Sequence, residues 1–260
     1  MRLEGRRAFV TGGGRGIGRA IALKFAEAGA DVAVAARTSS EIDAVAGEIQ
    51  ETGRRSLAIP CDVGDSKAVD EAVQQTSREL GGVDVLVANA GALVHAPLGE
   101  TTDALWDEMM RVNLNGAFYA FRAAIGGMSE RGWGRLIAIS SVSGKIGGPN
   151  RSAYHAAKHG VLGLVRSVAL EAAAAGVTVN AICPGFVETG MVATFREGLA
   201  EQTEGGESAE EAMNRYRDEV PMGRFLAPEE IAAMALYLAS EEAGGITGQA
   251  YTISCGAIQI

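Results

Sequence analysis

Cysteine is scarce in this chain of 260 residues, which has three isolated copies at Cys61, Cys183 and Cys255. Three scattered cysteines provide neither a disulfide framework nor the paired spacing of a zinc site, a pattern typical of a reducing compartment. Long apolar runs are also lacking: none reaches the roughly 18 residues of a membrane-spanning helix, and the first residues form no signal-peptide core. The sequence therefore predicts a cytoplasmic protein with no membrane partner.

Positive charge is in deficit, because 23 Lys and Arg face 32 Asp and Glu and leave a net charge of −9. This excess of acidic residues argues against nucleic acid as a partner. Glycine, in contrast, is abundant, since 35 copies are almost twice the number expected from its usual share of about 7%. No Gly-X-Y repeat is present, so the excess belongs in turns and in close backbone approaches to a ligand.

Short apolar runs alternate with stretches of helical period along most of the chain. The runs predicted as strands are 8–10, 32–36, 57–60, 83–88, 136–140, 177–182 and 250–253. Strands that alternate with crossover helices form a parallel sheet with helices on both faces, and ligands bind beyond the carboxyl ends of the strands. We therefore predict an α/β fold, a single doubly wound (Rossmann) domain over residues 1–260 with about seven parallel strands.

Two segments break this alternation. Residues 186–222 are too long for an ordinary loop and mix apolar residues with many glutamates, which predicts a partly helical, mobile lid. The tail 243–260 carries no charge, so we expect it to be buried in a subunit interface.

The segment Thr11–Gly18 follows the first predicted strand and opens directly into a predicted helix. Gly12 permits the tight turn, Gly16 lets the backbone approach a pyrophosphate, and Gly18 allows close packing of the helix on the strand. The free N–H groups and the positive dipole end of the helix attract the anion. A simple turn is the alternative, but the order strand, turn, helix favours a nucleotide site.

The end of the second predicted strand indicates which dinucleotide binds. NAD sites place a carboxylate there for the ribose hydroxyls, whereas NADP sites use arginine for the 2′-phosphate. This chain has Ala36 followed by Arg37, and Arg15 adds a second cation in the glycine loop, two residues before Ile17. Two solvated arginines are the alternative. We predict that NADPH is preferred and that NADH is used less well.

Tyr154 and Lys158 are four residues apart on a predicted helix and therefore share one of its faces. A tyrosine with a pKa near 10 transfers protons poorly at neutral pH unless a nearby cation stabilises its phenolate, which Lys158 could do. Ser141 follows the strand 136–140, where its hydroxyl would project over the carboxyl edge of the sheet. An ordinary pair on a helix surface is the alternative.

Motifs of one known family run through the chain. They are Thr11–Gly18, Asp62–Val63, Asn89–Gly91, Asn113, Ile139–Ser141, Tyr154–Lys158 and Pro184–Thr189. Together they resemble the short-chain dehydrogenase/reductase family. The resemblance implies that Asp62 and Val63 contact the adenine. It implies further cofactor contacts from Asn89, Ala90 and Gly91 and, at the nicotinamide, from Pro184, Gly185, Val187 and Thr189.

The chemistry implied by this resemblance is hydride transfer between a nicotinamide and a ketone or secondary alcohol. Ser141 would polarise the carbonyl oxygen, and Tyr154 would donate or accept the proton. Lys158 would hold the nicotinamide ribose and lower the pKa of the tyrosine. Asn113 resembles the residue that keeps a water in the proton relay, and the family is typically homotetrameric.

The substrate is less well defined by the sequence. The segment 183–189 resembles 3-oxoacyl thioester reductases and polyketide ketoreductases, although residues 92–95 lack the Pro-Gly-Gly of the polyketide enzymes. Carrier-protein reductases tend to have a docking arginine where this chain has Ala175, which leaves Arg131 and Arg135 as candidates. An acyl carrier protein, a CoA thioester and a free ketone therefore stay open. An apolar pocket is expected from Leu93, Val94, Met191, Phe195 and Met213.

We carry three hypotheses from the sequence. The first is an NADPH-dependent reductase of a 3-oxoacyl thioester or a similar ketone. The second is a catabolic secondary-alcohol dehydrogenase that uses NAD(P)+. The third is a nucleotide-sensing binding protein, which the complete set of proton-transfer residues disfavours. His155 and His159 lack a third ligand, so no metal is expected, and His95 is placed either in the substrate pocket or on an exposed loop.

Overall fold

Residues 1–190 and 209–259 are described by the computed structural model, and seven of their segments form one parallel sheet. The strands are β1 (Arg7–Thr11), β2 (Asp31–Ala36), β3 (Ser56–Pro60), β4 (Val85–Ala88), β5 (Gly134–Ile139), β6 (Val177–Pro184) and β7 (Ala250–Ile253). They are arranged in the order β3-β2-β1-β4-β5-β6-β7. The order reverses between β1 and β4, and ligands bind at this kind of switch point. The doubly wound α/β fold predicted from the sequence is confirmed.

Helices cover both faces of the sheet with two separate apolar layers. They are α1 (Gly16–Glu27), α2 (Ser39–Glu51), α3 (Ser66–Leu80), α4 (Asp103–Met110), α5 (Gly116–Glu130), α6 (Ser152–Ala172), α7 (Ala209–Asp218) and α8 (Pro228–Ala239). Successive strand residues point to opposite faces, so Val10 packs with Phe25 in one layer, while Phe9 packs with Phe121 in the other. No helix in the two described ranges is long and apolar enough to cross a membrane.

The amino ends of the central strands are fixed by buried charge. Asp84, which is 2% exposed, accepts hydrogen bonds from the backbone N–H of Arg7 at 3.0 Å and from its Nε at 2.6 Å. Arg135 is 3% exposed and donates to two backbone carbonyls. Because Arg135 is buried, its expected role in docking a carrier protein is wrong. Arg131 donates to the Val83 carbonyl, and a docking role for it stays a prediction.

The predicted lid is described only at its two ends. Residues 191–208, with Met191 and Phe195, lie outside the described ranges. Helix α7 lies in the second part of the predicted lid, but Met213 on this helix is 6% exposed and packs in the core layer rather than lining a pocket. The expected pocket role of Met213 is therefore wrong, because the apolar side chain is used to attach α7 to the body of the protein.

Candidate active site

A cavity of about 530 Å³ lies at the carboxyl ends of the strands. Arg15 and Arg37 line one end of it, and Ser141 and Tyr154 line the other. The sequence-predicted residues that line it are Gly12, Arg15, Gly16, Ile17, Arg37, Asp62, Val63, Asn89, Ala90, Gly91, Asn113, Ser141, Tyr154, Lys158, Pro184, Gly185, Val187 and Thr189. Among the predicted site residues, Gly18 is the exception, because it lies behind the loop rather than on the cavity wall.

The backbone of the glycine loop between β1 and α1 requires glycine at Gly12 and Gly18. Gly12 has a φ of +64°, which a side chain would disfavour. A Cβ atom on Gly18 would lie 2.2 Å from the Gly12 carbonyl oxygen and 2.5 Å from Asn89 Nδ2. Helix α1 therefore begins against the backbone of the glycine loop, and its first N–H groups point towards the cavity end where a pyrophosphate would bind.

Asn89 and Thr11 connect the loop after β4 to the glycine loop. Asn89 Nδ2 donates to the carbonyl oxygens of Thr11 at 2.9 Å and of Gly12 at 3.2 Å. The Thr11 hydroxyl in turn accepts the N–H groups of Asn89 at 3.0 Å and of Ala90 at 3.1 Å. The Asn89 side chain thus fixes the wall of the cofactor cavity by bonding to the backbone of the glycine loop.

The predicted adenine contact Asp62 belongs to a network of charges. Its carboxylate accepts the Gly64 N–H at 2.9 Å and Arg111 Nη1 at 3.0 Å, and Arg111 Nε also donates to Glu108 at 2.6 Å. Burial by itself would raise the pKa of Asp62, but the hydrogen bonds from Gly64 and Arg111 lower it overall. Asp62 is therefore ionised and held in place at the edge of the cavity.

The four predicted catalytic residues line the same cavity. Tyr154, which is 8% exposed, and Lys158, which is 5% exposed, lie one turn apart on α6, and Lys158 Nζ is 5.7 Å from the centroid of the tyrosine ring. Lys158 Nζ donates to the Ile139 carbonyl at 3.0 Å. Ser141 follows β5 and hydrogen-bonds with Tyr154. The structure thus brings a hydroxyl, a phenol and an ammonium group together.

Asn113 reaches the cavity through a π-helical segment, Arg111–Asn115, that joins α4 to α5. Its Nδ2 donates to the carbonyls of Ala92 at 3.0 Å and of Met109 at 3.1 Å, and its Oδ1 accepts the Ala92 N–H at 3.2 Å. Inserted π turns are frequent at functional sites because they redirect a side chain. The side chain holds the loop after β4 in place, while its predicted role in a water relay stays a prediction.

Burial dominates the titration of the two central groups. It raises the pKa of Tyr154, although the hydrogen bond with Ser141 and the charge of Arg151 act in the opposite direction. Burial also lowers the pKa of Lys158 to about 8. The lowered tyrosine pKa expected from the family resemblance is therefore not found in this structure, because the loss of hydration outweighs the Ser141 hydrogen bond and the charge of Arg151.

Sequence reasoning missed Arg151, Ser143 and Phe186 as cavity residues. The position of Arg151, three residues before Tyr154, was the available signal, since residues three apart in a helical turn are neighbours. Leu93 lines the cavity as expected, whereas Val94 is exposed.

His155, His159 and Cys183 make structural contacts. His155 Nδ1 pairs with the Ile146 carbonyl at 2.7 Å, and His159 Nδ1 pairs with the His155 carbonyl at 2.9 Å. No group of three His, Cys, Asp or Glu among residues 1–190 and 209–259 is placed to hold a metal ion. Cys183 is fully buried in β6 and packs in one of the two apolar layers.

The sheet is doubly wound, a glycine loop lies at its switch point, and a buried Tyr–Lys pair lies beside this loop. This combination defines a dinucleotide-dependent oxidoreductase. Residues 12–257 match a family model of the short-chain dehydrogenases/reductases that is described as enoyl-(acyl carrier protein) reductase. The chain belongs to the short-chain dehydrogenase/reductase family and is an oxidoreductase of hydroxyl or keto groups.

Two curated relatives and one solved structure are similar over nearly their whole length. A 3-oxoacyl-(acyl-carrier-protein) reductase of Aquifex aeolicus is 34% identical over 257 residues, 98% of each chain. A D-β-hydroxybutyrate dehydrogenase of Cupriavidus necator is 35% identical over 256 residues, also 98% of each chain. The crystal structure of a Phe-to-Trp variant of actinorhodin polyketide ketoreductase with NADPH has a TM-score of 0.93 at 38% identity, with 97% of each chain covered.

Proposed function

We propose that the protein reduces the ketone of 3-oxoacyl compounds, above all 3-oxoacyl thioesters, with NADPH as the reductant. The observation that carries this proposal is the position of Ser141, Tyr154 and Lys158, which line the same cavity as the glycine loop at Gly12 and Gly16. The similarity to proteins named as 3-oxoacyl and polyketide ketoreductases supports this substrate class.

The side chains divide the chemistry between them. The nicotinamide, when bound, supplies the hydride that the ketone carbon receives. Ser141 donates a hydrogen bond to the ketone oxygen, and Tyr154 donates the proton that this oxygen gains. Because burial raises the pKa of Tyr154, the phenol is protonated at neutral pH, as a proton donor for reduction must be. Lys158 positions the cofactor ribose next to the phenol.

The preference for NADPH is proposed from the adenosine end of the cavity. Arg15 and Arg37 line this end, and Ala36 rather than a carboxylate ends β2. Arg15 lies 3.6 Å from Glu41, a weak surface pair that a phosphate could displace. A 2′-phosphate would receive charge-assisted hydrogen bonds from the two guanidinium groups, each of about 1.5–3 kcal/mol. An Arg37→Ala variant would then have an NADPH KM raised at least about 10-fold, with the NADH KM unchanged.

The experiment that tests the function follows the absorbance of the reduced cofactor with acetoacetyl-CoA as substrate. Wild type is expected to oxidise NADPH faster than NADH, and Tyr154→Phe is expected to lose about 10²- to 10⁴-fold in kcat while it still binds NADPH. Near-normal turnover by Tyr154→Phe would contradict the role of the phenol. Equal or faster use of NADH would contradict the cofactor preference alone.

We also propose that the protein is a cytoplasmic homotetramer. Large apolar side chains are exposed on neighbouring helices, with Phe118 on α5 at 41% and Leu170 on α6 at 84%. Strand β7 lies at the edge of the sheet, and each of its four residues is partly exposed. Both surfaces would be covered by further copies of the chain. A light-scattering mass near the 26.9 kDa of one chain would contradict this proposal.

A further inference from the structure

Arg111 holds two carboxylates at the adenosine end of the cavity without lining the cavity itself. Its Nη1 donates to Asp62 Oδ2 at 3.0 Å, while its Nε and Nη2 donate to the two oxygens of Glu108 at 2.6 Å and 3.0 Å. Asp62 and Glu108 both line the cavity. The planar guanidinium makes two parallel hydrogen bonds to one carboxylate and has a further N–H for the other. An effect of Arg111 on a bound cofactor must therefore pass through these two acids.

Gly64 fixes both the guanidinium and the carboxylate that it contacts. A Cβ atom on Gly64 would overlap Nη1 and Cζ of Arg111, so the guanidinium occupies the space that a side chain at residue 64 would take. The Gly64 N–H donates to Asp62 Oδ1 at 2.9 Å. Asp62 thus accepts one hydrogen bond on each carboxylate oxygen, from two groups that pack against each other. The orientation of its carboxylate is set from both sides.

The Asp62 carboxylate held in this way can still accept a hydrogen bond from a ligand. A carboxylate has about four lone-pair positions, and the contacts with Gly64 and Arg111 use two of them. Val63 and Val112, which adjoin Asp62 and Arg111 in the sequence, add apolar lining that suits a flat base. Adenine carries an exocyclic amino group, a hydrogen-bond donor. Hypoxanthine has an oxygen at this position, which would face the carboxylate as a second acceptor.

We propose that Arg111 is a positioning residue that holds the Asp62 carboxylate as the acceptor for the amino group of the cofactor's adenine, so that the enzyme selects adenine over hypoxanthine dinucleotides. This inference rests on the proposed function, because it takes NADPH as the cofactor. An Asp62 side chain that rotated freely could turn away from the oxygen of hypoxanthine, whereas a fixed one cannot. The selection between the two bases therefore depends on Arg111.

The test measures the Kd of NADPH and of reduced nicotinamide hypoxanthine dinucleotide phosphate by fluorescence titration, without a ketone substrate. Both dinucleotides carry the 2′-phosphate, so its contacts cancel in the ratio of the two Kd values. Wild type is expected to bind the hypoxanthine dinucleotide about 10- to 100-fold more weakly, the loss of one charge-assisted hydrogen bond. In Arg111→Met this ratio is expected to fall at least about fivefold. Arg111→Lys is expected to give an intermediate ratio, because an ammonium group lacks the planar fork that joins the two acids.

Two further variants show whether Arg111 acts through Asp62. Gly64→Ala displaces the guanidinium without removing it and is expected to lower the ratio as Arg111→Met does. Asp62→Ala is expected to abolish the preference for adenine, and Arg111→Met is expected to change nothing further in this background, since the two residues act through one contact. The matched control is Arg122→Met, which removes an exposed arginine paired with Asp70 and is expected to leave the ratio unchanged.

The ratio of the two Kd values is independent of the fraction of protein that is folded, so partial unfolding of a variant does not mimic the effect. If Arg111→Met does not fold, the ratio in Gly64→Ala decides. An unchanged ratio in these variants, an equal fall in Arg122→Met, or a further fall when Arg111→Met is added to Asp62→Ala would overturn the inference. Wild type that binds both dinucleotides equally would overturn it too, while the proposed function stands. Wild type that binds neither dinucleotide would contradict the proposed function itself.

Discussion

Burial of the Lys158 ammonium group lowers the stability of the folded protein, and a Lys158→Met variant tests this. The ammonium group is 5% exposed, and burial lowers its pKa from 10.5 to about 8. At about 1.4 kcal/mol per pKa unit, protonated Lys158 destabilises the folded state at pH 7 by about 3 kcal/mol. Methionine has a similar volume and carries no charge, so the variant avoids this cost.

The stability gained by the Lys158→Met variant is reduced by the loss of one hydrogen bond. Lys158 Nζ donates to the Ile139 carbonyl at 3.0 Å, and leaving a buried carbonyl unpaired costs about 1–2 kcal/mol. Lys158→Met is therefore expected to be more stable than wild type by about 1–2 kcal/mol at pH 7, and to be catalytically inactive. Such a gain in stability with a loss of activity is the behaviour of a strained functional group.

The pH dependence separates this explanation from general packing effects. Between about pH 8 and 10.5 the unfolded wild type binds more protons at Lys158 than the folded protein does, so wild-type stability rises with pH relative to the variant. Urea unfolding of both proteins at equal concentration, at pH 7 and near pH 10, measures the difference. A variant less stable than wild type at pH 7, or an advantage that stays constant up to pH 10, would refute the reasoning.

Three further outcomes follow from the contacts. Gly18→Ala is expected to raise the NADPH Kd more than about 10-fold in a fluorescence titration, since its Cβ would lie 2.2 Å from the Gly12 carbonyl; unchanged binding would contradict the packing role of this glycine. Asn113→Ala is expected to lose about 2 kcal/mol in urea unfolding, because the polar groups of Ala92 are left without their partner. The rate of alcohol oxidation is expected to rise as the pH is raised above neutrality, since the phenolate form of Tyr154 is required and burial raises its pKa; a flat profile would argue against this residue as the base.

The parts of the fold that the sequence predicts are those with a local signature. The strand 250–253 has the predicted bounds, and Tyr154 and Lys158 lie on one helix, α6, as predicted. The glycine loop could be predicted because steric contacts within a few residues of the chain require its glycines. In contrast, the bounds of the helices between β4 and β5 could not be predicted, because the π-helical segment Arg111–Asn115 interrupts the helical repeat of the sequence.

The parts that sequence reasoning could not supply depend on contacts between distant segments. The pairing of Asp62 with Arg111 joins residues 49 positions apart, and no local pattern marks it. The burial of Met213 likewise depends on where α7 docks. The raised pKa of Tyr154 is a balance between burial and neighbouring charges, and this balance is set only when the helix has packed against the sheet.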